Sequence, residues 1–144
     1  MSNESLFMGT KMSDVKPTLN EQEKAVCLAV YNILDGFTDL QKTITAQSIK
    51  SFLLVCLDEG NGSTEYAERL GVNASIMTRY LLDWSERNRA REEGFNFIQQ
   101  NRDTFDLRRQ QAILKPPGKT MVHKMVRNIA AACRVLATAS PGKP

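Results

Sequence analysis

From residue 18 to residue 37 the apolar side chains fall on one stripe. Val26, Ala29, Val30, Ile33, Leu34 and Phe37 follow i, i+3, i+4, i+7 spacing, the period of a helix with one buried face. Thr18-Leu19-Asn20-Glu21, just after Pro17, has the S/T-x-x-E form of a capping box and predicts the helix start at Thr18. Gly36 predicts its end. A second helix is predicted from Thr45, with Ile49, Phe52, Leu53, Cys56 and Leu57 as its apolar stripe. It runs into the turn Asp58-Glu59-Gly60-Asn61-Gly62. A short helix is predicted over Ser63 to Leu70, capped by Gly62 or Ser63 and stopped by Gly71. A fourth follows from Ala74 to about Arg87, capped by Asn73, with Met77, Tyr80, Leu81 and Trp84 inward.

The period then changes from 3.6 to 2. Gly94-Phe95-Asn96-Phe97-Ile98-Gln99-Gln100 alternates as a half-buried strand does, and Gln110 to Leu114 predicts a weaker partner strand. Together they make one β-hairpin whose long tip carries Arg102, Arg108 and Arg109. Pro116 and Pro117 suit the first turn of a last helix. Its stripe is Val122, Met125, Val126, Ile129, Cys133 and Leu136. The expected organisation is a tail over residues 1–16, a single domain over 17–140 and a short tail over 141–144.

The segment Thr64 to Leu81 reads as a helix-turn-helix. Ala67 is small where the second helix crosses, Leu70 and Val72 fill the wedge, Gly71 makes the turn, and Met77 and Tyr80 press the second helix onto the first. That leaves Ala74, Ser75, Thr78 and Arg79 outward near the start of the second helix, the part of a recognition helix that reaches base edges in the major groove. An ordinary αα-corner shares this packing pattern. The hairpin favours the first, because helix-turn-helix, two-stranded wing, helix is a winged-helix order. An Arg-bearing wing tip suits the negative potential of a narrow minor groove. Arg87, Arg89 and Arg91 extend the predicted recognition helix and are candidate phosphate contacts. Glu86, Glu92 and Glu93 make a solvated helix end the alternative.

Composition narrows the chemistry. The chain of 144 residues carries a formal net charge of +3. Residues 1–60 hold five basic and eight acidic side chains, and residues 61–144 hold fourteen basic and eight acidic. No acid follows Asp106, while Lys115, Lys119, Lys124, Arg127, Arg134 and Lys143 do. This asymmetry fits a polyanion partner, with a solvated basic helix near the C-terminus as the alternative. A single histidine, His123, and three scattered cysteines lack the spacing of structural zinc sites. Nor do they supply a nucleophile–base constellation, so no enzyme, no metal and no cofactor is expected. Cys27, Cys56 and Cys133 sit on the predicted apolar stripes and are expected to act as small hydrophobes. The longest apolar run, Phe52 to Leu57, is far short of a bilayer span, so a cytoplasmic location without membrane association is expected.

On these residues the chain resembles the MarR-type winged-helix transcription regulators. The resemblance runs from about Thr45 to Gly118, roughly half of the chain, and has two anchors. One is Tyr66-Ala67-Glu68-Arg69-Leu70-Gly71-Val72. The other, Asp106 to Gly118, is similar to the family's D-x-R-[K/R] wing segment ending in Leu-Thr-x-x-Gly, with Asp106, Arg108, Leu114 and Gly118 in register. Three departures stand out. Lys115 replaces the usual Thr, Met77 replaces the usual Val, and Ser85 to Gly94 is a longer, more charged link into the wing.

The resemblance implies a mainly α fold with a small β-hairpin wing. It also implies a homodimer built from terminal helices over about 18–36 and 117–138, docked on a pseudo-palindromic operator in double-stranded DNA. By the same resemblance Ser75, Thr78 and Arg79 read bases, Arg108 and Arg109 make wing contacts, and Asp106 orients a neighbouring Arg. A small-molecule effector of unassigned chemistry is a further partner that the resemblance implies. The rival expectation is a winged-helix adapter that presents the same helix to a protein, which would call for an apolar recognition face.

Overall fold

A computed structural model of the chain describes residues 15–88, 90–102 and 110–138. Most of both expected tails lies outside the described residues. Helix α1 spans Glu21–Leu40. Its cap is Asn20 rather than Thr18. The Asn20 side chain accepts the Glu23 N–H at 2.8 Å, and the Glu23 carboxylate accepts the Asn20 N–H at 2.9 Å. The sequence offers two overlapping capping-box frames, and Asn is at least as good a cap as Thr. Nor does Gly36 end the helix. It faces Met121 of the last helix, whose side chain would lie 3.8 Å from an added Cβ, and the next residue, Phe37, is fully buried. Tertiary packing here outweighs the intrinsic helix penalty of glycine, about 1 kcal/mol.

Helix α2, Ala46–Leu57, opens after Thr45 as expected and is capped by the Thr45 hydroxyl. Its buried face is displaced from the predicted stripe: Ser48, Ile49, Ser51, Phe52 and Val55 are buried, and Leu57 is 79% exposed. The displacement follows from Trp84, whose indole N–H donates to the Ser48 carbonyl at 2.9 Å and whose ring stacks on Phe52 at 4.9 Å. Helix α3, Ser63–Leu70, starts at Gly62, whose N–H donates to the Glu65 carboxylate at 3.1 Å. It ends at Gly71, which has φ 78°, the left-handed conformation that glycine adopts without a Cβ penalty. Helix α4, Ala74–Trp84, follows from the Asn73 cap.

The core is aromatic. Trp84 is fully buried and lies within 6.0 Å, centroid to centroid, of the rings of Phe37, Phe52, Phe95 and Phe97. These side chains come from α1, α2 and the segment before the wing, so the C-terminal end of α4 is anchored from three sides.

The wing consists of β1, Ile98–Arg102, and β2, Gln110–Leu114, antiparallel in the register Ile98↔Leu114 to Arg102↔Gln110. β1 starts four residues later than the alternation from Gly94 suggested. The preceding stretch instead gives its N–H groups to the end of α4: Phe97 to Trp84, Phe95 to Asp83 and Asn96 to Ser85. Helix α5, Pro116–Ala137, has proline at its first two positions and Lys115 at its N-cap without a side-chain cap bond. The two prolines lack the N–H groups a cap would satisfy. The Lys115 N–H donates to the Phe97 carbonyl at 2.8 Å, tying the start of α5 to the base of the wing.

α5 packs antiparallel on α1. Gly36 meets Met121, and farther along Ala25 and Ala29 face Ala132 and Val135. On these helices Ala29, Met121 and Ala132 are buried. By contrast Val26, Val30, Leu34, Val126, Ile129 and Leu136 are each more than 40% exposed. The fold class is thus mainly α with a two-stranded wing, as expected. No helix among the described residues is long and apolar enough to cross a membrane.

Candidate nucleic-acid interface

α4 is held by one face. Met77, Leu81 and Trp84 are buried, and Ile76 and Tyr80 are half-buried. Ala74, Ser75, Thr78 and Arg79 are all exposed, on the opposite side of the helix and at its N-terminal end. The Asn73 carboxamide oxygen accepts both the Ile76 N–H at 3.0 Å and the Ser75 hydroxyl at 2.7 Å. The Thr78 hydroxyl bonds the Ala74 carbonyl at 2.9 Å. Arg79 has no ion pair among the described residues, so its guanidinium is available to an outside acceptor.

Arg102 is exposed at the far end of β1, opposite Gln110. Arg108, Arg109 and Asp106 lie outside the described residues, as does Arg89. Contrary to expectation, Arg87 does not extend α4, because the helix ends at Trp84. The Ser85 hydroxyl donates to the Leu81 carbonyl at 2.7 Å, and the Gly94 N–H returns to the Glu86 carbonyl at 2.9 Å. The Asp83 and Trp84 carbonyls of the last turn are taken by the Phe95 and Phe97 N–H groups of the returning chain. Arg87 sits in the resulting loop, exposed and bridged by its backbone to Glu93. Arg91 is exposed in the same loop, with φ 60°.

The turn between α2 and α3 is the part that sequence patterns missed. Its backbone pairs with the outer edge of β2: the Gly60 N–H donates to the Ala112 carbonyl at 2.8 Å, and the Ala112 N–H donates to the Asn61 carbonyl at 2.9 Å. The Glu59 carboxylate accepts the Leu114 N–H at 2.7 Å. On the other side the Tyr66 hydroxyl donates to the Asp58 carbonyl at 2.6 Å, and Arg69 pairs with the Asp58 carboxylate at 2.8 Å. The turn thus joins the helix-turn-helix to the wing. Its two glycines and Asn signal a turn, but nothing in the local pattern signals a partner 55 residues away.

The electrostatics follow this geometry. The Arg69 guanidinium, helped by Asn61, holds the Asp58 carboxyl below its usual range. Burial pushes the Tyr66 hydroxyl up. Burial, with a smaller contribution from the Glu59 charge, pushes the half-buried Cys56 thiol up to about 11. A thiol held protonated in this way is a poor nucleophile. The expectation of buried cysteines fails for the other two, since Cys27 and Cys133 are exposed on α1 and α5. Both sit on faces turned away from the contact in which Ala29 and Ala132 are buried. His123 is exposed on α5. Among the described residues no group of His, Cys, Asp and Glu is placed to hold a metal ion.

No protein-family model and no curated protein sequence matches the chain. Solved structures do. RV1404 from Mycobacterium tuberculosis superposes with a TM-score of 0.62 at 13% identity, covering 99% of this chain and 85% of that one. A MarR-like transcriptional regulator, TM0816 from Thermotoga maritima, gives 0.56 at 17% identity, covering 85% and 84%. The transcriptional repressor CouR, solved bound to a 23-mer DNA duplex, gives 0.54 at 18% identity, covering 83% and 77%. The chain has the fold of the MarR-type winged-helix transcriptional regulators.

Proposed function

We infer that the chain is a sequence-specific double-stranded DNA-binding protein that regulates transcription by occupying an operator. In this reading α4 enters the major groove by its N-terminal end, and Ala74, Ser75, Thr78 and Arg79 face the base edges. The wing, with Arg102, Arg108 and Arg109, lies along the adjacent minor groove. Arg87 approaches phosphates from the loop that follows α4 rather than from the helix itself, and Arg89 is a second candidate phosphate contact. The observation that carries the reading is the polar, exposed N-terminal face of a helix whose other face is locked into the core. An adapter helix would carry an apolar patch at that place.

The active unit is a homodimer. Val26, Val30 and Leu34 on α1 and Val126, Ile129 and Leu136 on α5 leave apolar surface open on one protomer. Covering it with a second copy removes that surface from water at about 25 cal/mol per Å² and sets two recognition helices against two half-sites.

The experiment is a salt-titrated mobility-shift assay on random duplex, followed by selection of a preferred site. Binding that weakens steeply with salt and converges on a pseudo-palindrome is expected. Absence of salt-dependent binding overturns the reading in favour of the adapter. Light scattering on the eluting protein is expected to give twice the 16.2 kDa chain mass.

A further inference from the structure

The geometry points to Glu59 as a positioning residue that sets the angle of the wing against the recognition helix. The inference rests on the reading of the wing as a DNA contact. In an antiparallel pair alternate residues direct their backbone groups away from the partner strand. On β2 Ala112 and Leu114 do so, toward the 58–62 turn. Ala112 is held by two backbone bonds, to Gly60 and Asn61. Leu114 is held through its N–H by the Glu59 carboxylate.

The two attachment points are two residues apart, about 7 Å along a strand. One point alone would leave the hairpin free to pivot about Ala112, and the second fixes its direction. The turn is itself fixed to α3 through Tyr66 and through the Arg69–Asp58 pair. A path of direct bonds therefore runs from the helix-turn-helix through Glu59 to the base of the wing. Of the three bonds from the turn to β2, the one made by Glu59 is the only side-chain bond and the only charge-assisted one. The Glu59 side chain is exposed, so its removal leaves no buried unsatisfied group and does not threaten the core.

The test uses the full chain with E59A and E59Q, which keeps a neutral acceptor. Melting of both variants is expected within a few degrees of wild type, as for other surface changes. In E59A, hydrogen exchange at the Leu114 amide is expected to rise on the order of tenfold, with Phe52 and Leu81 amides unchanged. Operator affinity is expected to fall roughly tenfold, and the salt slope to shrink by about one unit as a wing phosphate contact is lost. Base preference under α4 should stay as in wild type. E59Q is expected to recover most of each effect. Unchanged Leu114 exchange in E59A, or an unchanged affinity and salt slope, would overturn the proposal. A wild-type chain that binds no duplex overturns the DNA reading instead, and Leu114 exchange then still decides whether Glu59 holds the strand.

Discussion

The hydroxyls of Ser63 and Thr78 lie 3.0 Å apart, linking the first residue of α3 to the exposed face of α4. Thr78 also bonds the Ala74 carbonyl one turn earlier. A residue on the exposed face of α4 thus helps to dock its own helix. Each of S63A and T78A is expected to cost about 0.5–1.5 kcal/mol of stability. A double-mutant cycle in urea should give a coupling of about 0.5–1 kcal/mol. Additive energies would show that the two hydroxyls do not act together.

Arg79 should separate reading from folding. It is exposed and unpaired among the described residues, so R79A is expected to change stability by less than about 0.5 kcal/mol. Operator binding should lose about 1–3 kcal/mol, with relaxed preference at one position of each half-site. R102A in the wing should weaken all sequences alike and lower the salt slope by about one unit. Selection on random duplex with each variant measures both. Unchanged site preference in R79A removes Arg79 from the base-reading set.

Trp84 is the largest fully buried side chain. W84A is expected to destabilise by about 3–5 kcal/mol, by cavity and by lost ring contacts. W84F keeps much of the volume and loses the bond to the Ser48 carbonyl, so a smaller cost of about 1–3 kcal/mol is expected. Calorimetric melting of the two variants checks the order. As the only tryptophan of the chain, Trp84 also makes wild-type fluorescence a direct report on the packing of α4.

Gly118 marks where α5 passes the wing base. A Cβ there would clash with the Phe97 carbonyl oxygen. G118A must shift either the start of α5 or the segment leading into β1. A loss of about 1–3 kcal/mol is expected, together with faster exchange at the Lys115 amide that Phe97 accepts. A G118A variant as stable as wild type would contradict the contact.

The pH dependence has a defined sign. The Cys56 thiol moves from its ordinary 9.0 to about 11 on folding, mainly through burial. The folded chain therefore prefers the protonated thiol. Its contribution is whole below about pH 9 and is lost as pH rises through about 11. Tyr66, also raised by burial, acts in the same direction. Asp58 acts at the other end: its lowered carboxyl contributes above the usual carboxylate range and is lost as pH falls through the folded value. Urea midpoints should decline at high pH for wild type and decline less for C56A. Asp58→Asn should flatten the acid side.

Much of this protein is written in contacts between residues fewer than five apart. Thr45 and Asn73 cap their helices, Gly71 turns α3 into α4, Pro116-Pro117 open α5, and Gln110 to Leu114 form a strand within the predicted limits. Caps, turns and periods are satisfied locally, so the sequence alone determined the order of elements and the exposed face of α4.

Tertiary structure decided what each face meets. Gly36 stays helical because Met121 lies opposite it, and Leu57, Cys27 and Cys133 are exposed because no described neighbour covers that part of their stripes. Arg87 leaves α4 because the chain from Gly94 to Phe97 returns to the carbonyls at its end. Glu59 meets Leu114 across 55 residues. Periodicity tells which side of an element is apolar, but the partner on that side is set by distant residues that fill the same space. Here that distinction separates the exposed face of α4, legible from its own residues, from the wing attachment, which only the folded chain creates.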